Sequence, residues 1–172
     1  CERAVVVGNG NVALDVARML LLGPAQIRQT DIADHALQAL TSSRIREVVI
    51  LGRRGPAQAS FTAPELLELL DQNHFEVVIE NAEAHAAAPG ASAGEALRMR
   101  LLNEIQARAW PATQRRLVLR FLATPLEIVG SERVSAIQVA DNELVTQADG
   151  TIAARSTGRS RPLDTGLVLR SV

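Results

Sequence analysis

Several residue types are scarce or missing in this chain, and each absence excludes a class of protein. Only one of the 172 residues is cysteine, which leaves no disulfide framework and no thiolate metal cage. The formal net charge of −1 argues against a nucleic-acid-binding surface and against a polybasic membrane role. No apolar run reaches the length of a bilayer span, and the first residues carry no signal-peptide pattern. We therefore expect a cytoplasmic protein with neither a membrane nor a nucleic-acid partner.

Lysine is absent as well, and all 18 basic residues are arginine. An arginine in this chain is therefore informative by its position, not as a choice of arginine over lysine. The three histidines, His35, His74 and His85, lack metal-ligand spacing with each other and with Cys1. A nucleophile elbow and a Walker-type loop are also missing. We expect no metal site.

What is present favours an α/β fold: a Rossmann-like parallel sheet flanked by helices, with a small antiparallel β meander inserted late. Hydrophobic residues make up 47% of the chain, enough for a full core. Apolar runs and helical periodicity alternate in the first two thirds, and short β-rich runs follow. Strands are predicted at residues 5–7, 46–51, 75–79, 116–122, 125–129, 134–140, 144–146 and 164–170, helices at 11–22, 30–41, 62–70 and 95–108, and a loop at 84–94. The four strands at 116–122, 125–129, 134–140 and 144–146 are predicted to be antiparallel.

The first strand leads into the motif Gly8-x-Gly10-x-x-Ala13 and then into a helix. Gly8 permits a tight turn, Gly10 allows the backbone to approach a pyrophosphate, and Ala13 lets the helix pack close to the sheet. The helix N-terminus adds unpaired N–H groups and a positive dipole end. The side-chain amides of Asn9 and Asn11 either contact the pyrophosphate or shape the turn. The motif in this context predicts a dinucleotide site.

The second long strand ends in Gly52-Arg53-Arg54, two cations with no acid. A site for NAD usually places Asp or Glu there, whereas an arginine accommodates a 2′-phosphate. The usual spacing of about 20 residues after the glycines falls near Asp31, but no buried strand precedes Asp31. The position therefore favours NADP(H), and the alternative is a solvated basic turn.

The sequence leaves two alternative roles for each of two acidic residues, Glu65 and Asp15. Thr62 and Glu65 fit a capping box, in which the Glu65 carboxylate reaches back to the Thr62 N–H. Glu65 also lies near enough in sequence to contact the ribose or nicotinamide end of NADP. Asp15, one turn into the first helix, either balances Arg18 or contacts the ligand.

The residues described so far resemble the adrenodoxin reductase-like ferredoxin–NADP reductases, especially the bacterial members. The resemblance rests on residues 8–18, on Thr30-Asp31-Ile32 and on residues 52–56 continuing to Phe61-Thr62 and Glu65. Residues 120–122 with Pro125, and residues 168–172, also fit. The family's pyrophosphate contacts would fall on Asn9, Gly10, Asn11 and Val12, its 2′-phosphate contacts on Arg53 and Arg54, and a further NADP contact on Glu65.

The resemblance implies one NADP(H)-binding domain over residues 1–172, excised from a larger reductase whose other domain binds FAD. That FAD-binding domain and a ferredoxin-type iron–sulfur protein would be its partners. The chain itself has a single glycine fingerprint and nothing to hold FAD, so we expect no catalytic side chains and no turnover by the chain alone. Two alternatives remain open: the NADPH-binding part of a glutamate synthase-type reductase, and a stand-alone NADP-binding module.

Overall fold

In the computed structural model, residues 1–71, 74–81, 91–110 and 114–171 are described. They form a five-stranded parallel sheet and a three-stranded antiparallel sheet, with helices packed on the former. The parallel sheet contains β1 (Arg3–Val7), β2 (Glu47–Leu51), β3 (Glu76–Glu80), β4 (Arg116–Arg120) and β8 (Leu167–Arg170), in the spatial order β3-β4-β2-β1-β8. The helices are α1 (Asn11–Leu21), α2 (Pro24–Ile27), α3 (Asp34–Thr41), α4 (Ala63–Leu70) and α5 (Ala93–Ala107), with a 3₁₀ turn at Pro56–Gln58. The predicted α/β class, with its added antiparallel meander, is confirmed.

Side chains that alternate along the central strands build two cores, one on each face of the parallel sheet. Val48 and Ile50 face a core that includes Leu14 of α1, Leu66 of α4 and Leu102 of α5. On the opposite face, β2 and its neighbours meet the meander in a core made of Val5, Val49, Leu51, Val118, Ala123, Ile137, Val139 and Leu163. The helices and the meander thus cover opposite faces of one sheet.

The antiparallel sheet consists of β5 (Ala123–Val129), β6 (Ala136–Thr146) and β7 (Ile152–Asp164), in that order. The two strands predicted at 134–140 and 144–146 are one strand, β6, with an irregular register between Ala140 and Asn142. The 13-residue β7 was not predicted, because its residues are mostly exposed and include few large apolar side chains. The β-turn at Gly150, where φ is +82°, joins β6 to β7.

One strand orientation was predicted wrongly. β4 was expected to be antiparallel with the meander, but it pairs in parallel with both β2 and β3. It occupies the interior of the main sheet, where Leu117, Val118 and Leu119 are buried on both faces. A strand buried on both faces is a continuous apolar run, which is typical of parallel sheets.

The start of α3 also differs from the prediction. A helix was expected over 30–41, but α3 begins at Asp34, its N-cap is Ala33 and no side chain caps it. Thr30 instead donates its hydroxyl to the Ile27 carbonyl, 2.7 Å away, at the end of α2. The Thr30 hydroxyl is therefore bonded to the end of α2 and does not cap α3.

Some sequence predictions fall outside the described residues: most of the loop at 84–94, His85 and Val172. No helix among the residues that the structure describes is long and apolar enough to cross a bilayer.

Candidate functional site

A cleft of about 680 Å³ opens where β1 and β2 end, at the carboxyl edge of the parallel sheet. Edges of this kind are the usual ligand position in open α/β sheets. The cleft is lined by Val7, Gly8, Asn9, Gly10, Leu51, Arg53, Arg54, Gln58, Ser60, Thr124, Pro125 and Ser171. The glycine turn and the two arginines, separated by more than forty residues of chain, therefore line one cavity. Its lining, as far as the structure describes it, contains no Asp or Glu.

The two glycines of the turn have different roles. Gly8 has φ of +111°, a conformation that L side chains rarely adopt, and its N–H bonds to the Leu51 carbonyl at the end of β2. Gly10 has an ordinary extended conformation, with φ −90° and ψ −178°. A Cβ at Gly10 would meet no protein atom within 4 Å, so the fold itself does not require glycine there. The open space above Gly10 is where a ligand backbone group can come close.

Gly10 is the N-cap of α1, and no side chain caps the helix. Ala13 and Leu14 donate their N–H groups to the Gly10 carbonyl, and the N–H groups that precede them lie at the positive dipole end of the helix. An uncapped N-terminus at the rim of a cleft provides donors for an anion. Val12 is 63% exposed in this turn, whereas Ala13 is fully buried, which agrees with the predicted close packing of α1 on the sheet.

The two asparagines beside Gly10 hold the surrounding loops. The Asn9 carbonyl accepts a hydrogen bond from the Phe61 N–H at 3.0 Å. The Asn11 Oδ1 accepts one from the Thr62 N–H at 2.8 Å. The Asn11 side chain therefore contributes to the shape of the turn, whereas the Asn9 bond is made by its backbone. Of the two residues, only Asn9 is part of the described lining of the cleft.

Arg53 and Arg54 follow β2 directly and are exposed. Within the described residues no carboxylate pairs with either guanidinium, whereas Arg120 at the end of the adjacent β4 is bonded to Glu80 at 2.6 Å. The two unpaired cations and the N-terminus of α1 border the same cleft, which makes it attractive to a ligand with two anionic groups.

Glu65 lies outside the cleft lining, and the predicted capping box does not form. Thr62 is the N-cap of α4, but its N–H is taken by Asn11 and no side-chain capping bond is made. The Glu65 carboxylate instead lies 3.6 Å from Arg18, and its Oε2 is buried without a hydrogen-bond partner among the described residues.

Arg18 is the centre of a small ion-pair cluster on α1. Its guanidinium donates hydrogen bonds to Asp15 and to Glu68. Asp15 therefore balances Arg18, which is one of the two roles predicted for Asp15. Burial by itself lowers the pKa of Arg18, but the hydrogen bonds to the two carboxylates outweigh it and the net pKa is raised. Arg18 is therefore a permanent cation facing Glu65.

Sequence reasoning assigned no binding role to seven residues of the cleft: Val7, Leu51, Gln58, Ser60, Thr124, Pro125 and Ser171. Val7 and Leu51 are the last residues of β1 and β2. Gln58 and Ser60 could have been suspected, because they lie between the arginines and α4. Pro125 and Ser171 lie in segments that carry the family resemblance, but no local pattern assigns them, or Thr124, to the site. Thr124 and Pro125 come from β5 and Ser171 follows β8, so only the packing of the two sheets brings them to the cleft.

Comparison with known proteins shows what this arrangement is similar to. No family model matches the chain. The chain is 47% identical over 174 residues to NADPH-ferredoxin reductase FprA of Mycobacterium tuberculosis, across 99% of this chain and 38% of that protein. The chain is homologous to part of the adrenodoxin reductase-like ferredoxin–NADP reductases. It is also 37% identical over 196 residues to the mitochondrial NADPH:adrenodoxin oxidoreductase of Salvelinus fontinalis, across 37% of that protein.

A solved structure of the same reductase type has the same fold. The structure of M. tuberculosis FprA in complex with NADPH matches 99% of this chain with a TM-score of 0.90 at 46% identity, and the match covers 38% of the FprA chain. The resemblance inferred from the sequence is therefore confirmed. The chain spans well under half the length of the curated relatives that it matches.

Proposed function

We propose that residues 1–172 form a single NADP(H)-binding domain of a flavin-dependent, cytoplasmic ferredoxin–NADP reductase. An FAD-binding domain and a ferredoxin-type iron–sulfur protein are its proposed partners. The observation that carries the proposal is that Arg53 and Arg54 line the same cleft as Gly8 and Gly10. The similarity to NADPH-ferredoxin reductases and to an NADPH complex supports it.

The residues of the cleft fit NADP(H) better than NAD(H). Uncapped N–H groups at the start of α1 and the open space above Gly10 suit a pyrophosphate. The unpaired guanidinium groups suit a second, separate phosphate, which NADP carries on the 2′ position and NAD lacks. An NAD site needs an acid for the ribose 2′-hydroxyl, and the described lining of the cleft offers none.

In this proposal the chain binds and orients, and bound NADPH supplies the hydride that reduces the flavin of the neighbouring domain. The main-chain turn at Gly8–Gly10 holds the diphosphate, and the arginine pair holds the adenosine end. Hydrogen bonds between Asn11 and Thr62 keep α1 and α4 together at the rim. Glu65, beyond the cleft and beside Arg18, is proposed as a further contact along α4.

The test is a pair of affinities measured on the purified chain by titration calorimetry, for NADPH and for NADH. We expect the chain to prefer NADPH, and the variant with both Arg53→Ala and Arg54→Ala to lose that preference. Charge-assisted hydrogen bonds contribute roughly 1.5–3 kcal/mol each, so NADPH affinity should fall about tenfold or more while NADH affinity stays.

A matched control removes two positive charges elsewhere. Arg28 and Arg44 are exposed arginines outside the cleft, and their double replacement by Ala should leave both affinities unchanged. Equal binding of NADPH and NADH by the unmodified chain would refute the proposal. Equal losses in the two double variants would show that the preference reflects net charge and not the arginine pair.

A further inference from the structure

The backbone of the double-arginine turn is held by the meander at three successive carbonyls. The Gly52 carbonyl accepts from the Ala123 N–H at 3.0 Å, and the Arg54 carbonyl accepts from the Leu122 N–H at 3.2 Å. The carbonyl between them, that of Arg53, accepts from the side-chain Nδ2 of Asn142 at 2.8 Å. Two of the three bonds come from the backbone at the β4–β5 junction, and the third depends on one side chain.

The burial and the hydrogen bonds of Asn142 favour this contact. It is 8% exposed, one of the few buried polar residues in the described part of the chain. Its Nδ2 also donates to the Thr124 hydroxyl at 2.7 Å, so both amide hydrogens are used. Its backbone N–H donates to the Leu122 carbonyl at 2.8 Å, across the irregular register of β6. Because a carbonyl can only accept, the orientation of the amide is determined by the Arg53 contact.

We propose that Asn142 is the positioning residue for recognition of the 2′-phosphate, because it fixes the peptide group between Arg53 and Arg54. This inference rests on the proposed function. The guanidinium groups are exposed and unpaired, so no ion pair fixes their direction. Their direction depends on the backbone conformation, which sets the orientation of the two Cα–Cβ bonds. The Asn142 bond holds the Arg53 carbonyl toward the meander, and the side chains on either side of that peptide are thereby held toward the cleft.

A positioning role for Asn142 predicts different nucleotide affinities from a role that only stabilises the fold. A purely structural loss would lower the affinities for NADPH and NADH by the same factor, since both depend equally on the folded fraction. Loss of arginine positioning would lower only the affinity for ligands that carry the 2′-phosphate. The ratio of the two affinities is therefore the informative quantity.

The experiment measures binding of NADPH, NADH, 2′,5′-ADP and 5′-AMP to the purified chain and to Asn142→Ala. We expect the variant to bind NADPH and 2′,5′-ADP roughly three- to tenfold more weakly, the usual effect of one lost hydrogen bond, with NADH and 5′-AMP unchanged. The matched control is Thr157→Ala, which removes a side-chain hydrogen bond to the Asp141 carbonyl at 2.9 Å in the same sheet without touching the arginine turn. The control should keep the wild-type ratio.

The outcomes distinguish a failure of this inference from a failure of the proposed function on which it rests. A wild-type chain without NADPH preference overturns the proposed function. A wild-type chain with that preference, and an Asn142→Ala variant that keeps it, overturns only the role of Asn142. Should Asn142→Ala fail to fold, Asn142→Ser retains one donor and is measured in the same way.

A wild-type measurement remains decisive if neither variant folds. The Asn142 side-chain amide protons should exchange with water far more slowly than those of a free asparagine. They should also shift more on binding 2′,5′-ADP than on binding 5′-AMP. Fast exchange, or equal shifts with the two ligands, would show that the amide does not hold the arginine turn.

Discussion

Thr62 donates its backbone N–H to the side-chain Oδ1 of Asn11, 2.8 Å away, although 51 residues separate them. Asn11 begins α1 and Thr62 is the N-cap of α4, so one asparagine joins the starts of two helices. The bond also explains why the expected capping box is absent, because the Thr62 N–H is already satisfied. Asn11 therefore supports the wall of the cleft without lining it.

Asn11 offers a test in which folding and ligand binding separate. Asn11→Ala removes the acceptor and should lower the free energy of unfolding by about 1 kcal/mol, the usual value of a capping bond. Asn11→Asp keeps an acceptor oxygen and should retain stability, but it adds a negative charge beside a proposed pyrophosphate site and should weaken binding of both NADPH and NADH. Thermal unfolding and nucleotide titration together check this. A destabilised Asn11→Asp with normal affinities would contradict it.

Gly10→Val should leave folding intact and block binding. A side chain here meets no protein atom, and the backbone conformation suits any L residue, so we expect a change in unfolding free energy within about 0.5 kcal/mol. The valine would occupy the space proposed for the diphosphate, so both nucleotides should lose measurable affinity in calorimetry. Gly10→Ala should show a smaller loss. Undiminished binding by Gly10→Val would remove the loop from the site.

Glu47 links stability to pH at the opposite edge of the sheet. Arg3, Glu47 and Arg116 are aligned across β1, β2 and β4, and Arg116 lies 2.6 Å from the carboxylate. Partial burial alone would raise the pKa of Glu47, but hydrogen bonds from the two arginines outweigh it and the pKa is lowered. A lowered pKa in the folded state means that the native state favours the charged carboxylate.

The stabilisation from Glu47 should therefore be complete above the pKa of an unfolded glutamate, about 4.3, and be lost as the pH falls through the lower folded value. Glu47→Gln should lower the unfolding free energy at pH 7 by roughly 1–3 kcal/mol, nearer the smaller figure because Arg116 is half exposed and screened by solvent. The gap between the variant and the wild type should close in acid. Glu143→Gln, which removes an exposed pair with Arg155, is the control and should show almost no gap. Chemical unfolding at several pH values measures both, and a gap that widens in acid would be inconsistent with this account.

Glu65→Gln examines the proposed contact beyond the cleft. The carboxylate makes only a long 3.6 Å approach to Arg18, which is already bonded to Asp15 and Glu68. We expect a stability change within about 1 kcal/mol, because an ion pair at the long separation of 3.6 Å contributes little. Affinity for NADPH should nevertheless fall in titration calorimetry if Glu65 contacts the ligand. An unchanged NADPH affinity would leave Glu65 as a neighbour of Arg18 alone.

The parts of the fold that the sequence predicted well have strong local signals. α1 was expected over 11–22 and spans Asn11–Leu21, because its apolar residues recur at helical spacing and Gly23-Pro24 ends it. β2 is an unbroken apolar run and was recognised for the same kind of reason. β4 was recognised as a strand but assigned the wrong neighbours, since the pairing of a strand is not encoded in its own residues.

The strand β7 could not be predicted from the pattern of its own residues. Six of its 13 residues are arginine, serine or threonine and most of the strand is exposed, so no alternation of apolar and polar residues marks it. It is a strand because it pairs with β6 along most of its length. Pairing between strands supplies the hydrogen bonds that its own side chains do not predict.

By itself the sequence determined the glycine turn, the uncapped helix behind it and the two cations that follow the second strand, because each is a local pattern with a local physical cause. Only the tertiary structure decided that the turn and the cations face one cleft and that Thr124 and Ser171 complete it. The same holds for Asn142, which reaches back 89 residues to hold the Arg53 carbonyl. Contacts between residues so distant in the chain exist only once the two sheets have packed on a shared core, and no local pattern records which partners that packing will bring together.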